Sequence, residues 1–388
     1  MLTLLFLGFA LACHVSISIH ASPDQERSFT VISCPRETKT CKEDTGYTLK
    51  LSRGNQDITS DTLVSYTSRD VFFPNKRAGI RLAGTLTVPE TAEKEFPAIL
   101  LISGSGPDNR DEEVGGYQPF KVLANYFSSR GYVVLRYDDR GIGKSAGSFF
   151  MADIFDLAAD ARSGLKYLKK RKFIDNKRIG IIGHSEGGMI AAYLGSRTRD
   201  IAWIVLMGSP GISGENLLIL QEEYILRARG LDEINIQKTT AFRTNVFKLI
   251  KEEDDVSKIQ TKLHKLYNSI YPGTNREELD SLITPLLIPW LKSFIEFKTS
   301  DYLSKVKIPV LALLAGNDLH VPPVENNLAL EEALGESLSD HYEIKVIENV
   351  NHMFQNSSSG FIQEKKDDEH EVISHLVLKE ISKWLNEQ

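Results

Sequence analysis

The chain has 388 residues, 41% of them hydrophobic and 25% charged, which excludes intrinsic disorder and collagen-like or disulfide-scaffold chains. Its 46 Lys and Arg against 52 Asp and Glu leave a formal net charge of −6, the wrong sign for a nucleic-acid binder with a basic face. The length fits two domains, or one large α/β domain with an insertion.

The N-terminus opens on an apolar run, Leu2–Ala12 (LTLLFLGFALA). It is too short for a membrane span, which takes about 20 apolar residues. With the small residue Ala21 before Ser22, it predicts a signal peptide over 1–21 and an exported protein, periplasmic or secreted. A buried N-terminal strand or helix is the plain alternative. Cys13 after Ala12 hints at a lipoprotein anchor. In an exported chain Cys34 and Cys41 could close a small disulfide, or stay as two thiols. No C-x-x-C or H-E-x-x-H spacing occurs, so no metal site is expected.

Residues 22–66 are polar and turn-rich and read as an N-terminal extension. A regular pattern begins at 67. Ile80–Val88 alternates like an exposed-edge strand. Short apolar runs at Ala98–Ile102, Val133–Tyr137, Ile179–Ile182, Ile204–Met207, Val310–Leu314 and Ile344–Ile347 suit strands buried on both faces. Between them Ile154, Leu157, Ala158, Ala161, Leu165 and Leu168 share one helical face. Ile373, Leu376, Val377, Ile381 and Trp384 do so near the C-terminus. Alternating strands and helices predict a mostly parallel sheet covered on both faces. Residues 212–303 break the pattern: they are helical and charged, with apolar positions such as Leu217, Tyr224, Leu286 and Trp290. They read as a helical lid inserted between two core parts, 67–211 and 304–388.

Two segments match G-x-S-x-G, around Ser145 (GKSAG) and Ser185 (GHSEG). A nucleophile elbow needs a buried strand running straight into the first glycine and a helix after the serine. Ile179–Ile182 and the helical run from Met189 supply both for Ser185. Ser145 instead follows Asp138-Asp139-Arg140. Its surroundings also imitate a dinucleotide fingerprint and the end of a P-loop, but a P-loop's first glycine would fall on Asp138. A fingerprint should follow its strand directly. A structural loop held by Asp138 and Arg140 is the better reading.

A serine hydroxyl needs a base, and the base a carboxylate to orient it. His352, on the loop after the last strand, is the histidine placed for the base. His184 adjoins the serine, His264 lies in the lid, and His320 is too close in sequence to the acid. That acid is Asp318, on the loop after Val310–Leu314; capping the next helix is its alternative role. The N–H of Glu186 and that of Ser105, in the turn Ser103-Gly104-Ser105-Gly106-Pro107, are the candidate oxyanion donors. The following charges, Asp108 to Glu112, read as a solvated run.

Together these segments resemble the α/β-hydrolase superfamily, and within it the exported bacterial carboxylesterase-like members. The resemblance rests on Gly104–Pro107 with Arg110-Asp111, Tyr137–Ser145, Gly183–Gly188, Asp318 with Val321-Pro322-Pro323, and Asn351–Gln355. It covers roughly 67–388. It implies an α/β-hydrolase fold, a Ser185–His352–Asp318 triad with an acyl-enzyme intermediate, and no cofactor. Ser103 stands where histidine often precedes the oxyanion glycine in better-known lipases. The expected partner is a small-molecule ester of short to medium acyl length, with no nucleic acid and no stable membrane span; the oligomeric state is open. A peptidase or amidase on the same triad, a non-catalytic binding protein and an oxidoreductase are the rivals.

Overall fold

A computed structural model describes residues 63–362 and 373–388. The expected signal segment, Cys13, Cys34, Cys41 and nearly all of the 22–66 extension lie outside them. Eight strands form one sheet in the order β1-β2-β4-β3-β5-β6-β7-β8. They are β1 (Tyr66–Asn75), β2 (Ile80–Pro89), β3 (Phe96–Ile102), β4 (Val133–Tyr137), β5 (Ile174–His184), β6 (Ile204–Met207), β7 (Val310–Ala315) and β8 (Tyr342–Ile347). Strands β1, β2 and β4 pair antiparallel, and β4 through β8 pair parallel. Every residue of β4, β6 and β7 is buried, which is why these strands read as unbroken apolar runs.

Two expectations need correcting here. Ile80–Val88 is not an edge strand: β2 is paired on both sides and its residues from Leu82 to Thr87 are buried. The true edge is β1, which takes in Tyr66 and was not predicted, because only Val71, Phe73 and Asn75 along it are buried. Leu376 is also exposed, whereas Val377, Ile381 and Trp384 are buried.

Helices α1 (Pro119–Ser128) and α11 (His375–Leu385) cover one face, where Phe120, Leu123, Phe127, Ile381 and Trp384 pack on Ile99, Val205 and Leu311. The opposite face receives α2 (Ile154–Lys169) and α3 (Glu186–Gly195). Helix α2 starts where its pattern predicts, on a capping box in which Asp153 accepts from the Asp156 N–H at 2.8 Å. Between β6 and β7 the chain inserts six helices as a cap: α4 (Gly214–Ala228), α5 (Glu233–Lys251), α6 (Val256–Ile270), α7 (Arg276–Ile283), α8 (Pro289–Glu296) and α9 (Ser300–Leu303). Helix α10 (Pro323–Gly335) follows β7. No helix among the described residues is long and apolar enough to cross a membrane.

Candidate active site at the carboxyl ends of the parallel strands

Strand β5 runs without interruption into Ser185, which caps α3 with φ 51° and ψ −118°. A non-glycine residue held there costs about 1–3 kcal/mol, so its surroundings must enforce it. They do. The Ser185 N–H donates to the Met207 carbonyl at 2.8 Å, and the Gly188 N–H donates to the Ser185 carbonyl at 3.0 Å. A Cβ on Gly187 would stand 2.1 Å from the Ile102 carbonyl oxygen, so the turn closes on β3 only because that position is bare. Glu186 opens α3, and its N–H therefore has no acceptor within the helix.

The loop after β3 lies against this turn. A Cβ on Gly104 would meet the Ser185 Cβ at 3.2 Å. The Gly104 N–H is already used, donating to Glu112 Oε1 at 2.7 Å. The Ser105 hydroxyl hydrogen-bonds the Glu186 carboxyl group.

Asp318 and His352 come together from the ends of β7 and β8. Asp318 Oδ1 accepts the N–H groups of His320 and Val321, both at 2.8 Å, and Oδ2 accepts from His352 Nδ1 at 2.7 Å. Both residues are buried. The His352 loop is knotted by Asn351, whose Oδ1 accepts from the Met353 and Gln355 N–H groups at 3.1 Å each. His184, the residue before Ser185, carries a ring 4.7 Å from that of His352, so the Ser185 turn and the His352 loop share one site.

Three participants, His184, Glu112 and His320, escaped the sequence reading. His184 is buried, with Nδ1 2.8 Å from Glu112 Oε1 and Nε2 3.0 Å from the His352 carbonyl oxygen. Glu112 belongs to the charge run expected to be solvated, and that expectation fails. Glu112 and Asp108 are buried, Arg110 pairs with Asp138 at 2.7 Å, and Asp111 pairs with Arg136 at 2.6 Å. Arg110, Asp111 and Glu112 meet counter-charges from distant elements, which one-dimensional reading cannot see. His320, set aside for its nearness to Asp318, stacks on His352 at 5.1 Å, and its Nδ1 lies 2.6 Å from Gln221 Nε2 on α4 of the cap. Trp290, on α8 of the cap, donates Nε1–H to both oxygens of Glu186 at 2.9 and 3.0 Å.

These surroundings set distinct protonation states. Burial by itself would depress the His184 imidazole, but the charge and hydrogen bond of Glu112, with the His352 carbonyl, push it up to about 9. Burial and the adjoining His352 ring hold His320 down at about 4, against the pull of Asp318. Burial raises Glu186 to about 7, opposed by hydrogen bonds from Trp290 and Ser105. Burial also lifts Asp108 and Asp139 well above the usual carboxylate range. Among the described residues no group of three or more His, Cys, Asp or Glu is arranged to hold a metal ion.

Residues 110–269 match the family described as Hydrolase_4: Serine aminopeptidase, S33. The chain is 25% identical over 307 residues to Esterase EstD of Thermotoga maritima, covering 78% of this chain and 65% of that one. It is 29% identical over 188 residues to human dipeptidyl peptidase 8, covering 46% of this chain and 20% of that one. The chain thus spans less than two thirds of the length of either relative. Among solved structures, hypothetical protein PA2218 from Pseudomonas aeruginosa superposes with a TM-score of 0.53 at 15% identity, covering 88% of this chain and 99% of that one. A mostly parallel sheet with a cap inserted between β6 and β7 gives the chain the α/β-hydrolase fold, and the stretch similar to the serine aminopeptidase family takes in the elbow serine.

Proposed function

We propose that the protein hydrolyses carboxylic esters of short to medium acyl length through Ser185, His352 and Asp318. Ser185 Oγ attacks the ester carbonyl while His352 takes its proton. The tetrahedral intermediate collapses, the C–O bond to the alcohol breaks, and His352 returns the proton to the leaving oxygen. Water, activated by the same imidazole, then releases the acid from the acyl-enzyme. Asp318 holds the His352 tautomer that presents Nε2 to the serine. The N–H groups of Glu186 and Ser105 receive the oxyanion; Gly104 does not compete, since its N–H is committed to Glu112.

The observation that carries this reading is the strained Ser185 at the head of α3, with a buried Asp318–His352 pair at the ends of β7 and β8 of the same sheet. The likeness to an esterase over 78% of the chain agrees with it. Ser185→Ala in the full chain should abolish p-nitrophenyl ester turnover and fluorophosphonate labelling while circular dichroism stays native. Retained labelling would remove Ser185 from the role.

A second reading, a peptidase or amidase on the same residues, is favoured by the aminopeptidase description of the matching family and by the dipeptidyl peptidase likeness. Matched esters and amides with one acyl group decide between them: amide turnover equal to or above ester turnover would replace the esterase assignment.

A further inference from the structure

We infer that His184 is a doubly protonated clamp, locked by Glu112, that joins the oxyanion loop, the nucleophile elbow and the base loop into one unit and so positions His352. The inference rests on the roles proposed for Ser185 and His352. Its ground is the acceptor geometry. One ring nitrogen of His184 faces a carboxylate oxygen at 2.8 Å and the other faces a carbonyl oxygen at 3.0 Å. A neutral imidazole has a single N–H, so it would turn a lone pair toward one of those oxygens. Against a carboxylate on one side and a carbonyl on the other, only the imidazolium satisfies both. At Glu112, Oε1 also accepts the Gly104 N–H, so one carboxylate oxygen holds the oxyanion loop and the clamp together. The Glu112 side chain is 4% exposed and that of His184 6%, so neither charge can be left alone without a large desolvation cost.

Glu112 is held for this task. Its φ is 51°, and its N–H is tied to the Asn109 carbonyl at 2.9 Å, a tight turn that aims the side chain inward. The charged and titratable groups around His184 come from three loops. Glu112 and Asp108 lie on the loop after β3, Asp318 and His320 on the loop after β7, and His352 on the loop after β8. Burial and the neighbouring His320 oppose the cation, and Glu112, the His352 carbonyl and Asp318 favour it. The balance leaves His184 protonated until about pH 9, in step with the geometry. His184 touches no reacting atom; it acts through the His352 backbone and is a positioning residue.

The test is Glu112→Gln in the full chain. Glutamine keeps an oxygen toward both donors and removes only the charge. The kcat for an ester that the wild type turns over should fall by roughly tenfold to a hundredfold, with KM changed less than about twofold. The alkaline limb of the pH profile should move down by about one unit or more. A folded variant with wild-type kcat and an unmoved alkaline limb overturns the inference. Should the variant fail to fold, imidazole 15N spectra of the wild-type enzyme at pH 7–8 decide. Two N–H signals at His184 sustain the clamp, and a single-N–H tautomer overturns it. Those spectra do not depend on Ser185, so a Ser185→Ala enzyme that kept its turnover would sink the proposed function and leave this reading to its own result.

Discussion

The two G-x-S-x-G segments, five letters each with the same three fixed positions, occupy opposite ends of what such a string can become. Around Ser145 the hydroxyl is consumed: it accepts from the Ala83 N–H at 2.8 Å and donates to the Asp138 carbonyl at 2.7 Å. Lys144 beside it points out and pairs with exposed Asp70. Around Ser185 the corresponding neighbour, His184, is buried in an ion pair, and the serine sits in a strained turn between strand and helix. The difference lies in what precedes the first glycine. Strand β5 extends into Gly183 and His184, whereas β4 ends at Tyr137, six positions before Gly143. The element that delivers a serine, not its flanking glycines, decides whether its hydroxyl is tied up or presented at a strained turn.

Paired substitutions can break this contrast. The largest effect is expected in activity. Ser185→Ala should cost about 10⁴-fold or more in kcat, as removal of such a nucleophile does. Ser145→Ala should leave ester turnover within a few-fold and instead lower stability by about 1–3 kcal/mol, because the buried Ala83 N–H loses its acceptor. Steady-state assays beside urea unfolding of both variants read the pair. Comparable turnover in the two would dissolve the distinction.

Next come the closing glycines. Alanine at Gly187 drives a methyl to 2.1 Å from the Ile102 carbonyl, a backbone atom that cannot step aside, and should destabilise by about 3 kcal/mol or more with loss of activity. At Gly147, with φ +102°, the new methyl meets the flexible end of Ile80 at 3.2 Å and the Arg140 Cβ at 3.4 Å, with no backbone atom in its way. Its cost is backbone strain of about 1–2 kcal/mol, with turnover retained. Equal losses at the two sites would mean that the elbow is less tightly packed than its geometry indicates.

The smallest effect separates the residues after the serines, Glu186 and Ala146. The Glu186 carboxyl is raised to about 7 by burial, so the folded state keeps a proton that the unfolded chain, near 4.5, releases. Stability therefore declines as pH rises from about 4.5 to 7 and levels off above. Glu186→Gln keeps an oxygen for Trp290 and removes that decline. Its melting temperature should exceed the wild type's at pH 8 by more than at pH 5; a constant difference across that range would show that Glu186 does not titrate there.

How far the site was legible follows from the same contrast. Ser185, Asp318 and His352 each stand just after a strand whose apolar run is visible in one dimension, so their places could be named from local pattern. His184 and Glu112 are 72 positions apart and carry no shared spacing. His320 and Gln221 are 99 apart, and Trp290 reaches Glu186 across 104. Such partners are chosen by packing, and polarity misleads for them: the run from Asp108 to Glu112 looks solvated because its counter-charges, Arg136, Asp138 and His184, come from other elements. The edge strand β1 was hidden for the opposite reason, since a strand covered on one side needs few apolar residues to announce it.

Sequence alone determined the succession of the buried strands, the cap insertion and which serine ends a buried strand, because these follow from periodicities of a few residues and from steric rules of short turns. Tertiary structure alone decided which strand lies at the edge, which charges are buried, and that His352 is flanked by one imidazole held charged and another held neutral. Desolvation and ion pairing depend on neighbours brought in from distant parts of the chain, and no local pattern encodes who those neighbours are.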